Sequence, residues 1–159
     1  MTNLYGDRMI SKAHGRIAFR GLIDSLEAEV IETQVLASEK GEGDICLKLG
    51  EVLDLLRKIM ASEVKDTPLA PPFLFGMDAE EIHRRSHSIE EFILPSHTHG
   101  LIPARINKIR TKVREVELMA VRVFDGKDSC PDDIILALNR LSSALWWLFC
   151  QRIREGNVK

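Results

Sequence analysis

The sequence predicts an all-α protein, an antiparallel bundle of four long helices and one short helix, folded as a single domain over residues 1–159. Apolar residues recur with the 3.6-residue helical period along four long segments. Proline and glycine clusters separate these segments, and no segment shows the alternation of a half-buried strand. A chain of this length can bury a core of its own without disulfides or metals.

The first two helices are predicted from apolar periodicity and from the residues that end them. The first spans about residues 16–38 and stops before Gly41, and the second spans about residues 45–63. A loop with three prolines follows, and proline lacks the backbone donor that regular structure needs. The periodic apolar residues of the first helix are Ile17, Leu22, Ile23, Leu26, Val30, Ile31 and Val35.

Capping signals place the remaining three helices. Asp78 stands three residues before Glu81, the spacing of a capping box, and predicts a short helix over residues 79–88. Residues 90–100 are predicted to form a loop. Proline suits a first helical turn because no amide is needed there, so the fourth helix is placed at 103–124 and the fifth at 131–154.

The composition excludes several classes of partner. The net charge of −2 and the pI of about 6.2 give no basis for nucleic acid binding. No apolar run approaches the roughly 20 residues that span a bilayer, and no signal peptide is evident, so we expect no membrane partner. Cys46, Cys130 and Cys150 are odd in number and lack CxxC spacing. Reduced thiols in the cytoplasm fit better than a disulfide framework or a zinc ribbon.

The fourth helix has a third face that packing does not explain. One face carries the apolar residues and the opposite face carries solvated charges. A polar strip lies roughly 110° from the apolar face. It consists of Asn107, Arg110, Arg114 and Glu117. Spacing alone favours a row of surface charge pairs worth a few tenths of a kcal/mol each, and contact with a ligand or a second subunit is the alternative.

Several segments resemble one family in sequence order. They are LYGDRMISK (residues 4–12) with Arg16 and GLID (21–24), HRRSH (83–87), FILP (92–95), His99-Gly100, IRTKVREVE (109–117) and LNRLSS (138–143). As an ordered set they resemble the corrinoid adenosyltransferases, most closely the ethanolamine-utilisation type. The resemblance covers about residues 4–150.

The resemblance implies a homotrimer of five-helix bundles with active sites between subunits. Its reaction joins the C5′ carbon of ATP to the Co(I) of cob(I)alamin, giving adenosylcobalamin and tripolyphosphate. Since Co(I) is itself a strong nucleophile, the protein needs no general base. Its tasks are to position ATP and to neutralise the leaving triphosphate.

The resemblance also assigns residues by matching position. Arg114, Asp24 and Glu117 would be catalytic, with Asp24 pairing with Arg114 across the subunit interface. Phe92 would press on the lower face of the corrin and exclude its axial base. The ATP-binding residues would be Lys12, Arg16, Arg110 and Asn139, of which the first two contact phosphates.

Structural interpretations of the same residues stay open. Arg114 and Asp24 could form a purely structural interface pair. Asn139 could bridge two helices in the core, and Phe92 could be ordinary loop packing. Trp146-Trp147 is interpreted as core and interface packing rather than as a cofactor contact.

Histidines suggest a metal site as a further hypothesis. His83 and His87 are four residues apart on a predicted helix, and His99 follows on a loop. Together they could ligate a divalent metal. The divalent cofactor expected for the reaction is Mg²⁺, with Fe²⁺ or Zn²⁺ as the alternatives. No cysteine or carboxylate clearly completes the set, and solvated histidines are the other interpretation.

Departures from the family pattern define the competing hypotheses. The glycine-rich TxTGDxG loop of the propanediol-utilisation type has no full counterpart, and Leu118 stands where that type has an arginine. The cysteine-containing metal segment of longer ethanolamine-type members is not found either. A non-catalytic corrinoid-binding or assembly subunit is therefore the main alternative, followed by a metal-binding regulatory bundle. For the enzyme, a bacterial microcompartment and a corrinoid-dependent ammonia-lyase are further candidates for location and partner.

Overall fold

The computed structural model describes residues 6–89, 93–124 and 131–157, with side chains described for 14–89, 93–124 and 132–156. This part of the chain forms five α-helices and a 3₁₀ turn at His97–His99, and it contains no β-strand. The helices are α1 (Gly6–Glu39), α2 (Gly43–Lys65), α3 (Ala79–His87), α4 (Leu101–Phe124) and α5 (Pro131–Asn157). The predicted all-α class is confirmed.

The four long helices form a ring in which neighbours run antiparallel. Helix α1 packs on α2 and α4, and α5 packs on α4 and α2, while the short α3 lies on α5. The contacts that show this order are Arg16–Glu63 and Gln34–Cys46 between α1 and α2, Glu32–Arg105 and Phe19–Phe124 between α1 and α4, Arg110–Trp146 and Glu117–Asn139 between α4 and α5, and Glu42–Arg152 and Lys48–Trp147 between α2 and α5.

The apolar core fills the inside of this ring, and α1 shows where periodicity was misleading. Its buried apolar residues are Phe19, Ile23, Leu26, Val30 and Ala37. Ile17, Ile31 and Val35, which belong to the same periodic set in the sequence, are exposed. They lie on a second apolar face, because a helix at the rim of a bundle needs only one face for its own core.

Helix α1 begins at Gly6, earlier than the predicted Arg16. Residues 6–15 mix good helix formers with two glycines, an aspartate and a serine and lack a clear apolar period, so the sequence did not predict a helix there. Gly15 lies inside α1, and the helix continues through it. Helix α4 comes so close at this point that a Cβ on residue 15 would lie 3.0 Å from a methyl group of Val123. The glycine therefore permits the close approach of α1 and α4.

Helices α3 and α4 begin much as predicted. The Asp78 side chain accepts a hydrogen bond from the Glu81 amide at 2.8 Å, which is half of a capping box. The Glu81 carboxylate pairs instead with Arg85 at 2.8 Å. Helix α4 begins at Leu101, so Pro103 still lies in the first turn, where no amide is needed.

Helix α5 is long and apolar enough to cross a membrane by length and composition alone. An 18-residue window within Asp132–Gly156 has a mean hydropathy of 1.2, and half of that window is buried within the bundle. The central helix of a soluble bundle has the same properties, because it packs against several neighbours. Here α5 contacts α2, α3 and α4.

Candidate active site between two helices

A cavity of about 400 Å³ lies where α4, α5 and the end of α3 meet. Two arginines of the polar strip form its basic wall, and an indole and two hydroxyls of α5 face them. The apolar end of the FILP segment closes another side. The lining residues are Ser86, His87, Ile93, Leu94, Pro95, Arg110, Arg114, Ser142, Ser143 and Trp146. Arg110 and Arg114 of the polar strip therefore face a cavity and are not only members of a row of surface charge pairs.

Arg110 is held in place on both sides. Its Nε donates to Asn107 Oδ1 at 2.9 Å, and its guanidinium lies over the Trp146 ring, 5.2 Å from the ring centroid. Burial lowers the pKa of Arg110, and the positive charge of Arg114 lowers it further. An arginine still stays charged at neutral pH, so the two guanidinium groups repel each other. An anion bound beside them would offset both the cost of burying the Arg110 charge and the repulsion between the two guanidinium groups.

Glu117 and Asn139 join α4 to α5 directly. Asn139 Nδ2 donates to Glu117 Oε2 at 3.1 Å, and its Oδ1 accepts from Arg140 Nη1 at 2.7 Å. Arg140 Nε donates in turn to the carbonyl of Ala79, at the start of α3. Both ends of the Asn139 amide are therefore fixed, and the asparagine bridges helices as the structural interpretation expected. Its role in ATP binding stays a prediction.

Within one chain the structure shows no contact between Arg114 and Asp24. Both side chains are exposed, and Arg114 faces the cavity beside α5. Helix α1, which carries Asp24, packs on another face of α4, where Glu29 pairs with Lys112 at 2.8 Å. If these two residues meet, they meet between subunits.

The other residues assigned to phosphate and corrin are only partly described. Arg16 does not reach the cavity residues; its Nε donates to Glu63 Oε1 at 2.7 Å. The side chain of Lys12 and all of Phe92 lie outside the described residues. The residues after Phe92 line the cavity, so the described end of the FILP segment borders it, and the corrin role of Phe92 stays a prediction.

The three histidines are not gathered into one site. The rings of His83 and His87 lie 4.2 Å apart between centroids, and His87 Nδ1 lies 2.8 Å from the His83 carbonyl oxygen. His99 Nδ1 accepts from the Ser96 amide at 3.3 Å, and its ring packs edge-on against Phe149. Across the described ranges no group of three or more His, Cys, Asp or Glu side chains could hold a metal. The residues that the structure describes therefore do not fit a protein-held metal ion.

Trp146 is a cavity residue that the sequence did not assign. It was interpreted as packing, and it does stack on Phe149 at 5.3 Å between centroids. Its ring also supports Arg110 and lines the cavity. The spacing of Asn139, Ser143 and Trp146, at i, i+4 and i+7, places them on one face of α5 and could have revealed this role.

These features define a class of protein, a helical bundle with a basic, aromatic-walled cleft between two of its helices. The chain matches the model of the cobalamin adenosyltransferase family over residues 1–151. It belongs to that family. The resemblance that the ordered segments indicated is confirmed.

Individual relatives agree with the family match. The chain is 33% identical over 153 residues to the corrinoid adenosyltransferase EutT of Salmonella typhimurium (strain LT2). It is 31% identical over the same length to the corrinoid adenosyltransferase EutT of Escherichia coli (strain K12). Each match covers 92% of this chain and 56% of the relative. The chain thus spans little more than half the length of the curated relatives that it matches.

Proposed function

We propose that the protein transfers the 5′-deoxyadenosyl group of ATP to cob(I)alamin, giving adenosylcobalamin and tripolyphosphate, and that it serves ethanolamine utilisation. The observation that carries this proposal is the cavity in which Arg110 and Arg114 face Trp146 and the FILP segment. A polyanionic leaving group needs the cations, and a flat apolar macrocycle needs the aromatic and aliphatic walls.

The chemistry asks little of the protein beyond position and charge. The electron pair of Co(I) forms the Co–C bond to C5′, while the C5′–O bond breaks and its electrons leave with tripolyphosphate. Arg110 and Arg114 balance the charge that grows on that leaving group. Because Arg110 is already fixed by Asn107 and Trp146, it needs no reorganisation when the charge develops.

A second subunit would complete the site. The outer stripe of α1, defined here as Ile17, Asp24 and Ile31, is spaced at i, i+7 and i+14 and so lies on one helix face. Ile17 is 64% exposed and Ile31 42% exposed, so both offer apolar surface that a neighbouring subunit could bury. In our proposal the chain forms a homotrimer in which this stripe covers a neighbour's α4, and Asp24 pairs with Arg114 there.

A divalent cation would enter with the nucleotide. Across the described ranges no protein group of three ligands is available. In our proposal the triphosphate oxygens therefore hold the metal, with Mg²⁺ the expected ion and Fe²⁺ or Zn²⁺ the alternatives.

The proposed setting is the cytoplasm, with a bacterial microcompartment and a corrinoid-dependent ammonia-lyase as candidate location and partner. The two cysteines in the described part, Cys46 and Cys150, are both free, which suits a reducing compartment. Co-purification of the lyase with the tagged protein would support this setting.

Anaerobic incubation with ATP and chemically reduced cobalamin tests the proposed reaction. The expected result is the spectrum of adenosylcobalamin, formed in step with tripolyphosphate. Corrinoid binding without either product, whether Mg²⁺, Fe²⁺ or Zn²⁺ is supplied, would overturn the enzyme and favour the non-catalytic corrinoid-binding subunit.

A further inference from the structure

A buried carboxylate at the end of α2 holds two arginines of α1. The Glu63 side chain is 0% exposed. Its Oε1 accepts from Arg16 Nε at 2.7 Å, and its Oε2 accepts from Arg20 Nε at 2.5 Å. The Glu63 carbonyl also accepts from Arg16 Nη2 at 3.0 Å. We call these three residues the Glu63 cluster.

The Glu63 cluster holds more positive charge than its carboxylate balances. Two guanidinium groups share one carboxylate, so the three residues together carry one excess positive charge. The arginines are partly exposed, 26% for Arg16 and 39% for Arg20, whereas the carboxylate is inaccessible. The outer edges of both guanidinium groups can therefore meet an anion from solvent, while Glu63 cannot be displaced by it.

The geometry of the cluster suits a polyphosphate. Arg16 and Arg20 are one helical turn apart, so their charges follow one line along α1, and Lys12 precedes Arg16 by another turn. Nε and Nη2 of each arginine donate to Glu63, so Nη1 of each takes no part in these hydrogen bonds. Guanidinium groups held in this way lose less rotamer freedom on binding than unsupported side chains.

We infer that Arg16 and Arg20, which adjoin the outer stripe of α1, together bind the triphosphate of a nucleotide held in the cavity of a neighbouring copy, and that Glu63 is the positioning residue that holds both guanidinium groups for it. The inference rests on the proposed function and adds Arg20 and Glu63 to its site. Glu63 touches neither substrate; it acts through the two arginines.

The chain offers a matched control for a purely structural interpretation. Glu42 binds Arg152 through two hydrogen bonds, at 2.5 and 3.0 Å, and so ties the opposite end of α2 to α5. Both carboxylates link helices, but the Glu42 pair has no excess cation. If the Glu63 cluster were only a tie between α1 and α2, Glu63→Gln and Glu42→Gln would behave alike.

The test measures the affinity of inorganic tripolyphosphate by titration calorimetry on the full chain. We expect Glu63→Gln and Arg20→Gln each to weaken binding by about tenfold or more, and Glu42→Gln to leave it within about twofold. For Glu63→Gln the direction of the change in tripolyphosphate affinity is decisive. Loss of a negative charge alone would tighten anion binding, so weaker binding requires the positioning role of Glu63. Unchanged or tighter binding in that variant would overturn it.

Two further measurements distinguish a failure of the anion site from a failure of the proposed reaction. If Glu63→Gln fails to fold, Arg20→Gln decides, because Arg20 is partly exposed and its loss leaves Glu63 paired with Arg16. Turnover is followed in parallel. Tripolyphosphate binding without any adenosylcobalamin would refute the proposed reaction but support this anion site. Turnover by Arg20→Gln with an unchanged KM for ATP would refute the anion site and leave the reaction standing.

Discussion

Arg110 and Arg114 are one turn apart on α4, and the fold treats them differently. Arg110 is fixed between Asn107 and Trp146, whereas Arg114 is exposed and the structure shows it no partner of opposite charge among the described residues. A cation that is exposed on a cavity wall adds little to the stability of the bundle. Its value must lie in what enters the cavity or in what covers it.

Arg114→Ala should therefore separate activity from stability. We expect kcat/KM for adenosylation to fall by about 100-fold or more, as for loss of a cation that stabilises developing charge. The thermal midpoint should hardly change. Arg122→Ala is the control, since Arg122 is exposed on the solvated side of α4. Equal activity of the two variants would contradict the role of Arg114.

The reactivity of the Cys150 thiol at a given pH can also be predicted from its surroundings. Burial raises the pKa of its thiol to about 11, and the charges of Arg154 and Arg110 offset only part of that rise. The thiol is then protonated and unreactive at pH 8. In a Cys46→Ser, Cys130→Ser background we expect an iodoacetamide label on Cys150 only after unfolding in urea. Rapid labelling of the native protein at pH 8 would show this description to be wrong.

At the scale of the element, the sequence predicted the faces of α4 well but not which side chains of other helices meet the polar residues. The third face of α4 is visible in spacing, because polar residues there recur at helical intervals. The partners of such residues are not visible, since Arg16 and Glu63 are 47 positions apart and meet only through the packing of α1 on α2. Trp146 was missed for another reason: an indole taken alone gives the same sequence signal whether it lines a cavity or packs, and only the helix face that it shares with Asn139 and Ser143 distinguishes the two.

Helix α4 depends on its buried face to keep the polar strip in register. Ile109 is 1% exposed and adjoins Arg110 in the chain. Ile109→Ala should lower the free energy of unfolding by about 2–5 kcal/mol. Leu47→Ala, at a site that is 75% exposed, should change it by less than about 0.5 kcal/mol. Urea denaturation measures both, and equal losses would contradict the assignment of the core.

At the scale of the whole molecule, the described fold leaves an open cavity and an uncovered apolar stripe. About 400 Å³ is near the lower end for a ligand pocket, although the proposed reaction brings together a nucleotide and a corrinoid. The outer stripe of α1 is apolar except for Asp24. A neighbouring copy that covers the stripe would both bury it and enlarge the pocket, which is the reason for proposing a trimer.

Ile31→Glu tests the assembly without touching the core. Ile31 is 42% exposed, so the bundle should still fold, but a charge on the outer stripe should disfavour its burial between subunits. We expect a monomer by light scattering after gel filtration, with turnover largely lost. Leu47→Glu, on the exposed side of α2, is the control. A trimeric, active Ile31→Glu protein would exclude this stripe as the interface.

The central claim is that Arg114 of one copy meets Asp24 of another, and mixing two inactive variants tests it most directly. Asp24→Asn and Arg114→Ala proteins are assayed alone and after co-refolding in equal amounts. If the site is shared, random assembly places an intact Arg114 against an intact Asp24 at about a quarter of the interfaces, and about a quarter of wild-type turnover should return. If the mixture stays as inactive as its components, the shared site is contradicted.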